Sequence, residues 1–429
     1  MTKPRRSKAQ DEPSTKSSGA IRCRSCRGTD LRVFLSLGDL PLSDGLLAAD
    51  DLERKEPRYP LDVAFCPDCT LVQILETVPP EQLFGADYPY FSSFTDTLLE
   101  HSAANVQARI AEQQPDGSSL VVELASNDGY LLQYYQARGI PVLGIDPAPG
   151  PVAAARKRGI ETLQAFFGLD LAARLAAGGR RADIIHANNV LAHVADTNGF
   201  VAGIGVLLKE DGVAVIEAPY VKELIDHGEF DTIYHEHLSY FSFLTAEKIF
   251  KAHGLCVFDV EELQTHGGSL RVYLCHAENR EKSVHDGIDE LRKKEIAAGL
   301  CELETYLDFD KRVREAKDRL LECLIRIKRS GGSIVAYGAP AKGNTLLNYC
   351  GIGKDFIEYT VDQNPHKQGL FLPGSHIPIV APSRLSETRP NYILVLPWNL
   401  RDEILGQIGY ARTWGCRFVI PIPMAEVLA

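Results

Sequence analysis

Two Cys-x-x-Cys pairs constrain the fold of this chain more than any other feature. Cys23 and Cys26 are followed, after the 39 residues 27–65, by Cys66 and Cys69. Each pair forms a tight knuckle presenting two thiolates, and two knuckles close a tetrahedral Zn²⁺ shell with no position left for a substrate. Such a site is structural. The other six cysteines (Cys256, Cys275, Cys301, Cys323, Cys350, Cys416) are scattered through apolar segments, as reduced thiols are, and not spaced as a disulfide framework. Between the pairs, alternation such as Leu61-Asp62-Val63-Ala64-Phe65 suits small β hairpins around a metal.

A chain of 429 residues is too long for one ordinary core, and 45% hydrophobic with 24% charged residues is a globular composition. No apolar run approaches the roughly 18 residues of a membrane span. Met1 to Ala20 is rich in Lys, Arg, Ser and Pro without an apolar core, so it reads as a disordered tail and the protein as cytoplasmic. A net charge of −11 argues against a nucleic-acid surface, which needs a basic face, but leaves room for a local pocket for one nucleotide. The expected partner is a small molecule, with no nucleic acid or membrane, and the chain a monomer or weak dimer.

Four ordered regions follow: a zinc-binding domain (21–81), a central domain (82–275), a helical connector (276–330) and a C-terminal domain (331–429). From Ser118 short apolar runs alternate with helical stretches: Leu120–Glu123, Tyr130–Ala137, Val142–Asp146, Asp183–Ile185 and Val213–Glu217. That order marks a doubly wound parallel α/β sheet. Charged text from Val284 to Arg329, with Val313, Ala316, Leu320, Leu324 and Ile327 at helical spacing, predicts one long amphipathic helix ended by Ser330-Gly331-Gly332. A second strand–turn–helix opening, Ser333–Asn344, leads to a strand ending at Asp362. The fold class is thus α/β, with two Rossmann-like units in tandem behind a zinc module.

Three constellations carry chemistry. Glu123-Leu124-Ala125-Ser126-Asn127-Asp128-Gly129-Tyr130 closes a strand, turns and opens a helix, so Glu123, Ala125, Asn127, Gly129 and Tyr130 are candidates for cofactor binding. Asp146, ending the next strand, is placed to accept from ribose hydroxyls, and Asn188 and Asn189 follow a later one. Only one of the usual glycines is present, which suits a nucleoside without pyrophosphate: S-adenosylmethionine. Tyr234-His235-Glu236-His237 concentrates imidazoles, a carboxylate and a phenol, enough for proton abstraction and enolate stabilisation, as well as for metal binding or an inert polar surface. His193 is placed at a strand's carboxyl end, and Gly267-Gly268-Ser269-Leu270-Arg271 is a turn entering a strand.

Together with Pro89-Tyr90-Phe91-Ser92-Ser93, Tyr337-Gly338-Ala339-Pro340-Ala341-Lys342-Gly343 and Asp362-x-Asn364-Pro365-x-Lys367-x-Gly369, these blocks resemble the deoxysugar C-methyltransferases of the tetronitrose and tylosin type. The resemblance spans nearly the whole chain from about Arg22. It implies a structural zinc, a central S-adenosylmethionine-dependent domain, and a C-terminal Rossmann-like domain that helps hold a nucleotide sugar. It also implies that His237 is the catalytic base and that Tyr90, His193, Tyr234 and Glu236 line the sugar pocket. The expected substrate contacts are Ser92, Ser93, Tyr240, Arg271, Tyr337, Lys342, Asn344, Asp362, Asn364 and Lys367. The implied reaction methylates the carbon α to the ketone, C3, of a nucleotide-linked 4-keto-deoxysugar; dTDP, GDP and CDP remain open. One competing reading is an NAD-dependent sugar-nucleotide dehydrogenase or epimerase, against which Gly338-x-x-x-x-Gly343 lacks the G-x-G-x-x-G spacing. The other is a non-enzymatic zinc-ribbon protein, which predicts salt-sensitive binding to nucleic acid.

Overall fold

The computed structural model describes residues 21–83 and 91–429; the expected tail, 1–20, and Tyr90 lie outside the described residues. The zinc module is an antiparallel sheet of Arg32–Leu40, Tyr59–Phe65 and Val72–Ile74, and its fourth strand, Ser239–Tyr240, comes from far along the chain. Leu61, Val63 and Phe65 alternate inward from the second strand, and near the knuckles, at Ala64 and throughout Val72–Ile74, both faces of the sheet are covered.

The central sheet runs Leu255–Leu263, Ser269–His276, Leu208–Pro219, Ala182–Asn188, Val121–Leu124, Val142–Asp146, Thr162–Gln164. Six of its strands run in one direction, and only Ser269–His276 is antiparallel to both of its neighbours. The chain starts in the middle, at Val121–Leu124, winds to one edge and returns to the other side. The switch point therefore lies between Val121–Leu124 and Ala182–Asn188, where ligands collect beyond the carboxyl ends.

The C-terminal sheet repeats the scheme in the order Ile379–Val380, Thr360–Val361, Ile334–Tyr337, Tyr392–Val395, Arg417–Ile420, Glu426–Leu428, with only the last strand antiparallel. Its switch point lies between Ile334–Tyr337 and Tyr392–Val395. The two units share a detail. Asp146 accepts from the backbone N–H groups of Asn127 (2.9 Å) and Ala148 (2.8 Å), and Asp362 accepts in the same way from those of Ala339 and Asn364 (both 2.8 Å). In each case the carboxylate ties the end of the second strand to the turn after the first.

The connector is two helices, Gly287–Ala297 and Leu303–Arg329, where the sequence pattern predicts one. The break falls at Gly299, whose φ of +72° lets the Leu300 N–H return to the Glu295 carbonyl, a C-terminal cap that ends the first helix. The second helix buries Val313, Ala316, Leu320, Leu324 and Ile327 as its periodicity requires, and adds Tyr306 and Phe309. Tyr306 stacks on Phe65 of the zinc module at 4.8 Å, so this helix joins that module and the C-terminal sheet in one apolar core. Among the described residues no helix is long and apolar enough to cross a membrane.

Candidate active site and metal centre

The two knuckles are built alike. In the first, the Arg27 N–H returns to the Cys23 carbonyl and Arg27 has φ +65°; in the second, Thr70 returns to Cys66 with φ +66°. This turn aims both sulfurs of each pair the same way. The four Sγ atoms lie within 4.8 Å of one another, with Cys23–Cys69 at 3.4 Å and Cys26–Cys66 at 3.6 Å. Zn–S bonds of about 2.3 Å in a tetrahedron separate the sulfurs by about 3.8 Å, so the set fits zinc after a small outward relaxation. None of the four lines the large cavity described next, so the ion takes no part in chemistry there.

A single cavity of about 1490 Å³ lies over the carboxyl ends of both parallel sheets. At the central sheet it is walled by Ala125, Asn127, Tyr130, Asp146, Asn188 and Asn189. The turn after Val121–Leu124 alternates into the left-handed region, with φ +56° at Ala125, +48° at Asn127 and +80° at Gly129. For a residue with a Cβ this conformation costs about 1–3 kcal/mol and is retained where the surroundings demand it. Here it turns the Asn127 N–H onto Asp146. Burial raises the Asp146 carboxyl to about 6. Two of its lone-pair positions remain for a ligand. The side-chain oxygens of Asn188 and Asn189 are buried with no partner among the described residues. Acceptors at the second and fourth strands of the unit, beside a turn after the first that forms no pyrophosphate loop, fit S-adenosylmethionine. Two expected cofactor residues are off the wall. Glu123 is fully buried, with its carboxyl pushed well up by burial, and Gly129 faces Ile160, whose Cδ1 would stand 2.3 Å from an added Cβ.

The middle of the cavity is formed by the stretch Tyr234–Tyr240 and the turn Leu191–His193. His237 Nδ1 lies 2.8 Å from the Thr232 carbonyl, which can only accept, so Nδ1 carries a proton. Nε2 then holds a lone pair and accepts from the Tyr234 hydroxyl at 2.9 Å. The His193 ring stands edge-on to His237 at 4.7 Å, and burial pushes its imidazole down to about 4. Glu236 is 5% exposed and lies on the wall; burial, then the nearby Asp44, push its carboxyl well above the ordinary range. His235 points away and donates from Nε2 to the carbonyls of Tyr59 and Pro60 at 3.2 Å, which removes it from the pocket.

Lys342, Asp362, Asn364 and Lys367 line the cavity at the second switch point; Tyr240 lines it too, as does Ser92, whose N–H donates to Asn127 at 2.9 Å. Ser93, Arg271, Tyr337 and Asn344 do not. Ser93 donates to Asp128 and accepts from Arg158; Tyr337 donates to Gln407 at 2.8 Å; Asn344 donates to the Ser43 carbonyl at 2.6 Å. Arg271 is clamped between Glu217 at 2.7 Å and Glu261 at 3.0 Å. These four brace the walls behind the site.

Sequence reasoning missed other members of the wall. Asp44 comes from the zinc module, His101 from the helix Asp96–Gln113, and Phe166 and Phe167 from the loop after Thr162–Gln164. His101 Nε2 lies 2.9 Å from Glu217 and 3.0 Å from Arg271. Glu229 and Asp231 lie beside Lys342, and burial raises them to about 8 and about 6. Asp231 accepts from the Trp398 indole N–H at 2.7 Å. Only position after a strand end, for Phe166 and Phe167, could have been a signal.

Comparison with known proteins accounts for the three parts. Residues 23–84 match a zinc binding domain family, 98–260 a methyltransferase domain family and 264–423 the C-methyltransferase C-terminal domain family. C-methyltransferase NovU of Streptomyces niveus is 34% identical over 407 residues, which cover 95% of this chain and 96% of that protein. Ubiquinone biosynthesis O-methyltransferase of Azorhizobium caulinodans is 27% identical over 122 residues, 28% of this chain and 47% of that protein. Among solved structures, magnesium protoporphyrin IX methyltransferase (ChlM) of Synechocystis PCC 6803 is 16% identical at a TM-score of 0.34, covering 42% of this chain and 83% of that one. A likeness to NovU that runs almost end to end, over a chain whose zinc knuckles and strand-end cavity are in place, makes this protein a member of the C-methyltransferase family, with an S-adenosylmethionine-dependent domain between a zinc-binding module and a C-terminal Rossmann-like unit.

Proposed function

We propose that the protein methylates C3, the carbon next to the ketone, of a nucleotide-linked 4-keto-deoxysugar, through an enolate formed when His237 removes the proton. The observation that carries this reading is the tautomer of His237, whose Nδ1–H is spent on the Thr232 carbonyl, so that the basic nitrogen at the cavity wall is Nε2, on which the Tyr234 hydroxyl rests. S-adenosylmethionine, when bound, supplies an electrophilic methyl on a cationic sulfur. As the C–H bond breaks, the proton would pass to Nε2 and the electron pair to the ketone oxygen, leaving a carbon nucleophile for the methyl group that the cofactor, held by Asp146, Asn188 and Asn189, would supply with its thioether as leaving group. Because Nε2 has one lone pair, the Tyr234 hydroxyl must first turn from it to the ketone oxygen of the substrate, which bares Nε2 for the proton and places a donor on the oxygen where the enolate charge develops. Burial keeps His193 neutral, so no second positive charge opposes the imidazolium beside it.

Asp146 is proposed to take the ribose of the methyl donor. Asp362, held in the same frame at the second switch point, would take the nucleoside sugar of the substrate, with Lys342, Asn364 and Lys367 around it. The continuous cavity supports this division, because it lets the two ligands meet at His237. The test uses carbon-13-labelled methyl donor with 4-keto-6-deoxy sugars on thymidine, guanosine and cytidine diphosphates. NMR should show the label bonded to the ring carbon next to the ketone in at least one product. Label found on oxygen or nitrogen, or on none of the three, would contradict the reading.

A further inference from the structure

The zinc knuckles sit outside the cavity, yet the residues that flank them hold the segment that carries His237. Ser239–Tyr240 is the fourth strand of the zinc-module sheet, in register Val72↔Tyr240 and Gln73↔Ser239, and the Ile74 N–H donates to the Leu238 carbonyl at 3.1 Å. Its partner strand, Val72–Ile74, begins three residues after Cys69. Thr70, inside the second knuckle, exchanges hydrogen bonds with Thr245: 2.9 Å between the hydroxyls, and 3.0 Å from the Thr245 hydroxyl to the Thr70 carbonyl. The first knuckle makes matching ties. Its Arg24 N–H donates to Gln73 at 2.8 Å, and its Arg24 and Ser25 carbonyls accept from Asn198, on the helix that follows the His193 turn, at 3.0 and 2.8 Å. By contrast, Ile233, Leu238 and Tyr240 pack in the core shared with the zinc module and the C-terminal sheet, not in that of the methyltransferase sheet.

We propose that the zinc module positions the catalytic base: the metal-closed knuckles fix the strand edge on which Leu238–Tyr240 hangs, and through it the place of His237 over the substrate. Zinc then acts on the rate through geometry, without touching either ligand. The inference rests on His237 being the base. Cofactor binding does not depend on this edge, since Asp146, Asn188 and Asn189 belong to the central sheet.

The test separates these two parts with the full-length holoenzyme. Thr245→Val removes the knuckle tie while leaving the zinc ligands and the cavity wall intact, and Thr245→Ser restores the hydroxyl. Three quantities are measured for each protein: zinc content, S-adenosylhomocysteine affinity by calorimetry, and solvent-deuterium wash-in at the carbon next to the ketone of a 4-keto sugar nucleotide. A misplacement of about 1 Å costs about a hundredfold in rate, so wash-in by Thr245→Val should fall by about 10- to 100-fold. Zinc content should stay at one per chain, cofactor affinity should hold within about twofold, and Thr245→Ser should recover the rate. Chelation of zinc should reproduce the loss, and re-addition of zinc should reverse it. Wash-in unchanged in Thr245→Val and in zinc-free enzyme, or a parallel loss of cofactor affinity, would overturn the inference alone. Absence of wash-in in the unaltered enzyme would remove the base assignment and this inference with it.

Discussion

Asp146→Asn gives a quantitative prediction. The carboxylate already accepts two backbone N–H groups and has two lone-pair positions left for the ribose hydroxyls of the cofactor. Hydrogen bonds to a charged group contribute about 1.5–3 kcal/mol each, so losing the charge at one or both should weaken S-adenosylhomocysteine by about 10- to 100-fold. The pH dependence gives a second handle. Burial raises this carboxyl to about 6 in the free protein, and only the ionised form accepts from both hydroxyls. Affinity should therefore be flat above about pH 6 and fall about tenfold per unit below it, and this slope should vanish in the variant. The stability effect has the opposite sign. A carboxyl whose folded value is raised favours the folded state below its unfolded value near 3.9 and loses that contribution as pH rises through 6, so free Asp146→Asn should not be less stable than the parent at pH 8 through loss of charge. Calorimetry from pH 5 to 8 measures both effects. Unchanged affinity with the same slope would refute the assignment of Asp146 to the ribose.

Further predictions concern the scaffold. Metal analysis should find one zinc per chain, and Cys66→Ser should lower the melting temperature and the zinc content together. Gly129→Ala should destabilise by about 1–3 kcal/mol in chemical denaturation, because its φ is +80° and a Cβ would meet Ile160 at 2.3 Å. Trp398→Phe removes the donor to Asp231, next to the Thr232 carbonyl that orients His237, so the turnover rate should fall about tenfold with little change in cofactor affinity.

What could be read from the sequence was what depends on neighbours along the chain. The Cys-x-x-Cys knuckles, the two strand–turn–helix openings and the acidic residues ending the strands that follow are local patterns, and each stands where the pattern puts it. The direction of a side chain is not local. Arg271, Tyr337, Asn344 and Ser93 lie in the right segments but face scaffold partners, because period and motif place a residue without saying which neighbour claims its polar group. Asp44 and His101 reach the cavity from elements far away in sequence, and the pairing of Ser239–Tyr240 with Val72–Ile74 joins segments about as remote. The helix break was visible only in hindsight, since one glycine in a charged amphipathic run is tolerated as often as it ends a helix.

The central claim, that His237 removes the proton from the carbon to be methylated, is tested most directly by deuterium exchange. A 4-keto sugar nucleotide is incubated in heavy water with S-adenosylhomocysteine in place of the methyl donor, and the carbon next to the ketone is followed by NMR. The unaltered enzyme should wash deuterium into that position. A general base contributes about 10²–10⁴-fold, so His237→Asn should be slower by that factor while binding S-adenosylhomocysteine as before. Wash-in by His237→Asn at the rate of the unaltered enzyme would contradict the account.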